Sequence, residues 1–209
     1  MIVLLLLSIL LAVAGQNTIT IGTPSVSSGH YHTCVLERRQ GIDLGGGVRC
    51  FGQTNGQAPP GIFKEVSSGN LFSCALRMDN TVSCWGSIHG TPENTRFRSI
   101  SSGSSHACGI TISGVLMCWG EGFQGETDPP SGQYKQVSCG NSYTCGLRNS
   151  GSVTCFGKID YAPDGDTFVL VSAGKKNKMC GITSKGDAKC WGSLVKDKSC
   201  ELREGERAS

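Results

Sequence analysis

Several things are absent from this sequence, and each absence removes a class of protein. No Cys-x-x-Cys occurs and the four histidines are scattered, so the ligand spacing of zinc sites is missing. No stretch carries the apolar periodicity of an amphipathic helix. Past residue 15 no apolar run approaches the length of a membrane span, so no stable membrane anchor is expected. The formal net charge is only +3, without the basic excess that marks a nucleic-acid partner. No Asn-x-Ser/Thr sequon is found, and no acid/base pair or Ser-His-Asp grouping stands out.

What the chain does contain is glycine, 30 residues, and cysteine, 12 residues, and both recur in register. Ser-x-Gly stands just ahead of a Cys, and a second Cys follows, succeeded by an aromatic and a Gly. The copies lie near 27–52, 67–86, 101–120, 138–157 and 172–192. Their first cysteines fall at 34, 74, 108, 145 and 180, a period in the range of propeller blades and solenoids.

The run from Met1 to Gly15 is apolar and ends in small residues, as a signal peptide does, and a polar Gln16-Asn17-Thr18 follows. That predicts a secreted, extracellular chain, in which twelve cysteines are read as a disulfide framework. Residues 16–193 then form the repeat domain, and the charged stretch 194–209 a tail.

Within a copy, two short strand-forming runs flank a tight turn. Gly114, Gly151 and Gly186 occupy the same place in it, where a turn of positive φ favours glycine. Folding about that turn sets the two cysteines opposite one another. The expected pairs are Cys34–Cys50, Cys74–Cys84, Cys108–Cys118, Cys145–Cys155 and Cys180–Cys190, with bridges between neighbouring repeats left open. Cys139 and Cys200 fall outside this ladder and are the natural sixth pair, with an intermolecular bridge or a free thiol as the alternative.

Between hairpins, Phe63-Lys-Glu-Val66, Phe97-Arg-Ser-Ile100, Tyr134-Lys-Gln-Val137 and Phe168-Val-Leu-Val171 each lead into Ser-x-Gly and imply a third strand. The predicted fold is therefore all-β: a β-propeller of about five short antiparallel blades, each with an intra-blade disulfide.

The third copy, with Gly103, His106, Gly114 and Trp119-Gly120, resembles the repeat of the regulator of chromosome condensation superfamily. Phe51-Gly-Gln-Thr-Asn-Gly-Gln57 is similar to the polar stretch that follows Trp-Gly there. The paired cysteines resemble the secreted version in ectodomains of crinkly-type plant receptor kinases, and propeller-type beta-lactamase inhibitors are also similar. The resemblance implies a propeller, which in well-known members closes with seven blades. With five copies here, either Asn17–Ile21 or Ser193–Val195 completes a five-bladed ring, or the chain is an open arc that calls for a partner, self-association or further repeats. Guanine nucleotide exchange, carried by the nuclear member, transfers poorly to a secreted chain.

Propeller symmetry would bring the segments just before each first Cys to one side, and these differ strongly between copies. Tyr31, Asn70, Leu71, Asn141, Lys175 and Lys176 are the candidate contact residues. The position two before Cys (His32, Phe72, His106, Tyr143, Lys178) is expected to pack or hydrogen-bond within its own blade. The aromatics before Gly (Phe51, Trp85, Trp119, Phe156, Trp191) are expected to pack between blades. The functional expectation is a non-enzymatic binding module for an extracellular protein or glycan ligand. A secreted inhibitor of an enzyme is the alternative and a hydrolase a remoter one. No cofactor, metal or catalytic residue is expected.

Overall fold

A computed structural model describes residues 26–38, 45–53, 56–159, 162, 164–174 and 177–192. The apolar run at 1–15, the segments 17–21 and 193–195, the tail, Lys175, Lys176 and Cys200 lie outside the described residues.

Five units of three antiparallel strands follow one another. Blade 1 is β1 (Val26–Ser28), β2 (His32–Arg38) and β3 (Gly46–Gly52); blade 2 is β4 (Phe63–Ser68), β5 (Phe72–Arg77) and β6 (Val82–Gly86). Blade 3 is β7 (Phe97–Ser102), β8 (His106–Thr111) and β9 (Leu116–Gly120). Blade 4 is β10 (Tyr134–Cys139), β11 (Tyr143–Arg148) and β12 (Val153–Gly157), and blade 5 is β13 (Phe168–Ala173), β14 (Lys178–Thr183) and β15 (Ala188–Gly192). Each unit is a meander with its second strand in the middle, and Gly46 pairs with Phe63 to join blades 1 and 2. No helix is present among the described residues, and none there is long and apolar enough to cross a membrane.

All five expected within-repeat bridges are formed, between directly opposed strand positions with Cα atoms 4.0–4.1 Å apart. In blades 2 to 5 the hairpin turn holds a left-handed residue six positions after the first Cys. Glycine supplies it at 114, 151 and 186, and Asn80, at φ 73°, takes that role in blade 2.

Phe-x-x-Val spacing fits neither face of a regular strand, since residues three apart point to opposite sides. A register shift resolves this. In β4, β7, β10 and β13 the pairing skips one residue after the aromatic, so Phe63 and Val66, Phe97 and Ile100, Tyr134 and Val137, and Phe168 and Val171 all turn inward. The skipped residues Lys64, Arg98, Lys135 and Val169 are exposed.

No blade has a core of its own. The four apolar clusters lie in the four seams between consecutive blades, each combining the Cys and Leu or Ile side of one sheet with the aromatic side of the next. Phe97 packs on Trp119 at 5.6 Å and Phe168 on Trp191 at 5.5 Å between ring centroids. The expected inter-blade role of the aromatic before Gly therefore holds for Trp85, Trp119, Phe156 and Trp191. Phe51, in the first described blade, is 56% exposed.

A polar ladder runs beside the apolar seams. The first serine of each Ser-x-Gly accepts, through Oγ, a backbone N–H of the next blade: Ser27 from Ser68 (2.9 Å), Ser67 from Ser102 (2.8 Å), Ser101 from Cys139 (3.0 Å) and Ser138 from Ala173 (2.8 Å). At the far end Ser172 is exposed, as are Lys178 and Cys180. At the near end Val26 is 66% exposed, whereas its counterpart Val66 is 4% exposed. Among the described residues, blades 1 and 5 thus keep exposed end faces, and the segments 17–21 and 193–195 that were expected to complete a ring lie outside them.

The side chains two before Cys at 32, 72, 106 and 143 lie against the turn glycine of their own blade, as expected, and also reach the next blade: His32 Nε2 meets Ser73 Oγ at 2.7 Å and His106 Nε2 meets Thr144 Oγ1 at 2.8 Å. Tyr143 donates from its hydroxyl to Gly174 O at 3.0 Å. The middle strand stands where only the neighbouring sheet offers a partner at that depth.

Candidate binding face at the propeller axis

The turn joining first and second strands is the innermost part of every blade. Glycine is required in it by close approach. A Cβ on Gly103 would lie 2.4 Å from Gly140 O and equally near the His106 ring, and one on Gly29 would lie 2.2 Å from Gly69 O. Backbone groups consequently interlock from blade to blade. His30 N–H donates to Gly69 O (3.2 Å), Asn70 N–H to Ser104 O (3.1 Å) and Ser104 N–H to Gly140 O (3.2 Å).

Residues 28–30, 68–70, 102–104, 139–141 and 173–174, one turn from each blade, surround a single opening of about 230 Å³. Asn70 and Asn141 line it, as their positions in the repeat predict. Tyr31, 50% exposed, stands beside it with its ring edge-on to His30 at 4.5 Å. Leu71 is half-buried and its carbonyl accepts Ser87 N–H at 3.0 Å, so it anchors the following loop. Lys175 and Lys176 lie outside the described residues.

Two lining residues, His30 and Ser104, and the exposed Phe123 do not stand out as contacts in the sequence. Ser104 Oγ donates to Asn141 Oδ1 at 3.0 Å across the seam of blades 3 and 4. Phe123 is 83% exposed on a loop pinned to this side at both ends, by Glu121 N–H to Ser105 O (3.0 Å) and Thr144 Oγ1 to Glu126 O (3.0 Å). The signal for that loop is the polar stretch after Trp-Gly; its tip depends on where Glu126 folds in.

The two seam histidines are held by burial. Burial lowers the His106 pKa to about 4, against a smaller raising effect of Glu126, and burial lowers that of His32 as well. Both imidazoles are neutral and committed to the seams. His106, Cys108 and Cys139 bring donor atoms within 4.8 Å of one another. Cys108, however, is bridged to Cys118, His106 Nε2 faces Thr144, and burial pushes the Cys139 thiol up to about 11. Two neutral, committed groups do not make a metal centre. Cys139 is a free, buried thiol, and the partner expected for it, Cys200, lies outside the described residues.

Three-stranded, disulfide-stapled sheets set around a common axis define a β-propeller. Its units are of a known type: the regulator of chromosome condensation (RCC1) repeat matches residues 97–126 and 134–160. The CRINKLY ectodomain of the receptor kinase ACR4 from Arabidopsis thaliana is 32% identical, with a TM-score of 0.67 over 80% of this chain and 64% of that one. The ectodomain of the receptor kinase CR4 from Physcomitrella patens is 28% identical, with a TM-score of 0.70 over 80% of this chain and 49% of that one. Prp20p from Saccharomyces cerevisiae, 14% identical with a TM-score of 0.65 over 82% of this chain and 57% of that one, shares the fold. The chain carries repeats of the RCC1 type and is similar to the crinkly ectodomains, of which it spans 64% and 49% of the length. No curated protein matches it.

Proposed function

We propose that this chain is an extracellular, non-enzymatic module that recognises a protein partner through the rim of its axial opening. One observation carries the reading. Five turns with glycine at the same place line one opening, and four of them present different side chains, His30-Tyr31, Asn70-Leu71, Ser104-Ser105 and Asn141-Ser142. A constant scaffold with variable tips is how loops acquire specificity. Tyr, Asn and Ser are the residue types that protein-binding loops favour, joined here by Phe123. Ectodomain neighbours and five disulfides support an extracellular setting. Prp20p, which shares only the fold, is described as binding Gsp1p and histones, so propellers of this repeat do serve as protein-binding platforms.

The test is capture of partners from the secreted fraction on the immobilised chain, with bound proteins identified by mass spectrometry. A Tyr31→Ala, Asn70→Ala, Asn141→Ala variant is expected to lose the captured protein, while Met117→Ser on the outer strand of blade 3 keeps it. Equal capture by both variants contradicts the reading. An enzyme among the captured proteins, inhibited on binding, identifies the module as an inhibitor.

A further inference from the structure

At the end of the sheets away from the axial opening, the hairpin turns and the starts of the first strands are tied into one surface. Within a blade, Met78 N–H donates to Ile62 O (3.4 Å) and Ile112 N–H to Arg96 O (3.0 Å). Between blades, Phe97 N–H donates to Asn80 O (2.7 Å) and Tyr134 N–H to Gly114 O (2.9 Å). The residue skipped at each bulge is exposed here, and in three consecutive blades it is a cation: Lys64, Arg98 and Lys135. Arg96, exposed two residues before Arg98, adds a fourth. Blade 5 has Val169 in this place.

These cations are positioned but not neutralised. Lys64 Nζ donates to Asn80 Oδ1, whose backbone carbonyl holds the strand that carries Arg98. The Arg98 guanidinium donates to Tyr134 O of the next blade, beside Lys135. Among the described residues the ion pairs are Glu37–Arg49, Glu121–His89 and Asp166–Lys189, so none of the four cations is in one. Of the nearby carboxylates, Glu65 is turned into the seam on Ile100 N–H, Asp79 is engaged by Thr81, and Glu93 lies out along the edge strand with Thr81 and Cys84. A net charge of only +3 therefore contains a local excess, and an incoming anion relieves the repulsion within it.

We infer that this end of the propeller binds an anionic polysaccharide, a linear chain of sulfated or carboxylated sugars laid across blades 2 to 4. Packed sheets lie about 10 Å apart, so Lys64, Arg98 and Lys135 repeat at roughly the length of a disaccharide. Successive acidic sugars then meet successive cations. The same end exposes Ser113, Asn149 and Ser150, whose hydroxyls and amide suit sugar hydroxyls. Ile112, 59% exposed beside Arg96, is what a bilayer or an acidic protein would use in addition to the charge, and a polysaccharide has no need of it.

The test is calorimetric titration of the full chain with heparin and with polygalacturonate, at low and high salt, and with poly-L-glutamate and phosphatidylglycerol vesicles in parallel. At least one polysaccharide is expected to bind more tightly than the polypeptide or the vesicles and to weaken with salt; which of the two does so identifies sulfate or carboxylate as the group. Lys64→Gln, Arg98→Gln, Lys135→Gln combined is expected to weaken that binding on the order of a hundredfold, at about fivefold per cation. Lys158→Gln, Lys178→Gln, Lys189→Gln, which removes the same charge elsewhere, and Ile112→Ser should leave it nearly unchanged. Lys135→Gln alone, at unchanged Tm, should lose about fivefold, which keeps the claim testable if the triple variant unfolds. Binding of neither polysaccharide, tighter binding of poly-L-glutamate or vesicles, or equal losses in the two triple variants overturns the inference. The Tyr31→Ala, Asn70→Ala, Asn141→Ala variant keeps polysaccharide binding, so the rim reading and this one fail separately.

Discussion

Glu65 offers a quantitative check on how the seams work. It sits on β4 at the blade 2–blade 3 seam, half-buried, and its Oε1 accepts Ile100 N–H at 3.2 Å. Desolvation raises its pKa from the usual 4.5 to about 7, opposed by the Ile100 hydrogen bond and by Lys64. In the blade 4–blade 5 seam the same place is held by Gln136. Its amide accepts Val171 N–H at 3.0 Å and donates to Val171 O at 2.8 Å, a paired contact that a carboxylate cannot make. A raised carboxyl pKa means that the folded chain holds a proton the unfolded chain has released. Stability from this group is full below pH 4.5 and lost as pH rises through about 7. A shift of this size sets a ceiling of about 3 kcal/mol. Partial exposure and screening reduce it to about 1–2 kcal/mol. Glu65→Gln is thus expected to raise Tm at pH 8 by about 3–6 °C in a domain of this size, with little change at pH 4. Calorimetry at the two pH values reads the difference. A Tm gain equal at both, or a loss at pH 8, refutes the reasoning.

Other outcomes arise from the same seams. Phe97→Ala and Trp119→Ala, each emptying the blade 2–blade 3 cluster, are expected to cost about 3–5 kcal/mol in denaturant unfolding. Phe51→Ala, at the repeat position of Trp119 but on an uncovered face, should cost under about 1 kcal/mol; equal costs would deny that the core lies between blades. Gly103→Ala should destabilise by more than about 2 kcal/mol, because its Cβ meets backbone of the next blade. Gly47→Ala, with nothing within 4 Å, should be near neutral. His106 works in the opposite sense to Glu65. Its lowered pKa makes stability fall as pH drops from 6.5 through about 4, so His106→Gln should flatten that part of the acid unfolding curve. Cys139 in the native chain should resist iodoacetamide in peptide-resolved labelling and react only on unfolding; rapid native labelling would contradict its burial.

Most of the architecture is legible in the sequence because the repeat states it five times. Cysteines ten residues apart about a Gly turn specify both hairpin and bridge, and Phe-x-x-Val specifies a third strand. Its odd spacing is itself the mark of the bulge that turns both residues inward. What does not read through is direction. His32 and His106 pack in their own blade but hydrogen-bond to the next, since side-chain partners across a seam are 31–41 residues away. Asn70 and Asn141 can be found because symmetry places equivalent turns together. Ser104 shares their repeat position and is legible in the same way, whereas Phe123 is not, because its exposure depends on how one loop is tied to Ser105 and Thr144, a contact that no single repeat encodes.

The most direct measurement is hydrogen exchange on the chain alone and with its captured partner, resolved to peptides. New protection confined to 28–31, 68–71, 102–105 and 139–142 is the result the axial-rim account predicts. Protection on β6, β9 or β12, with those turns unchanged, would place the partner on the outer edge of the blades and contradict it.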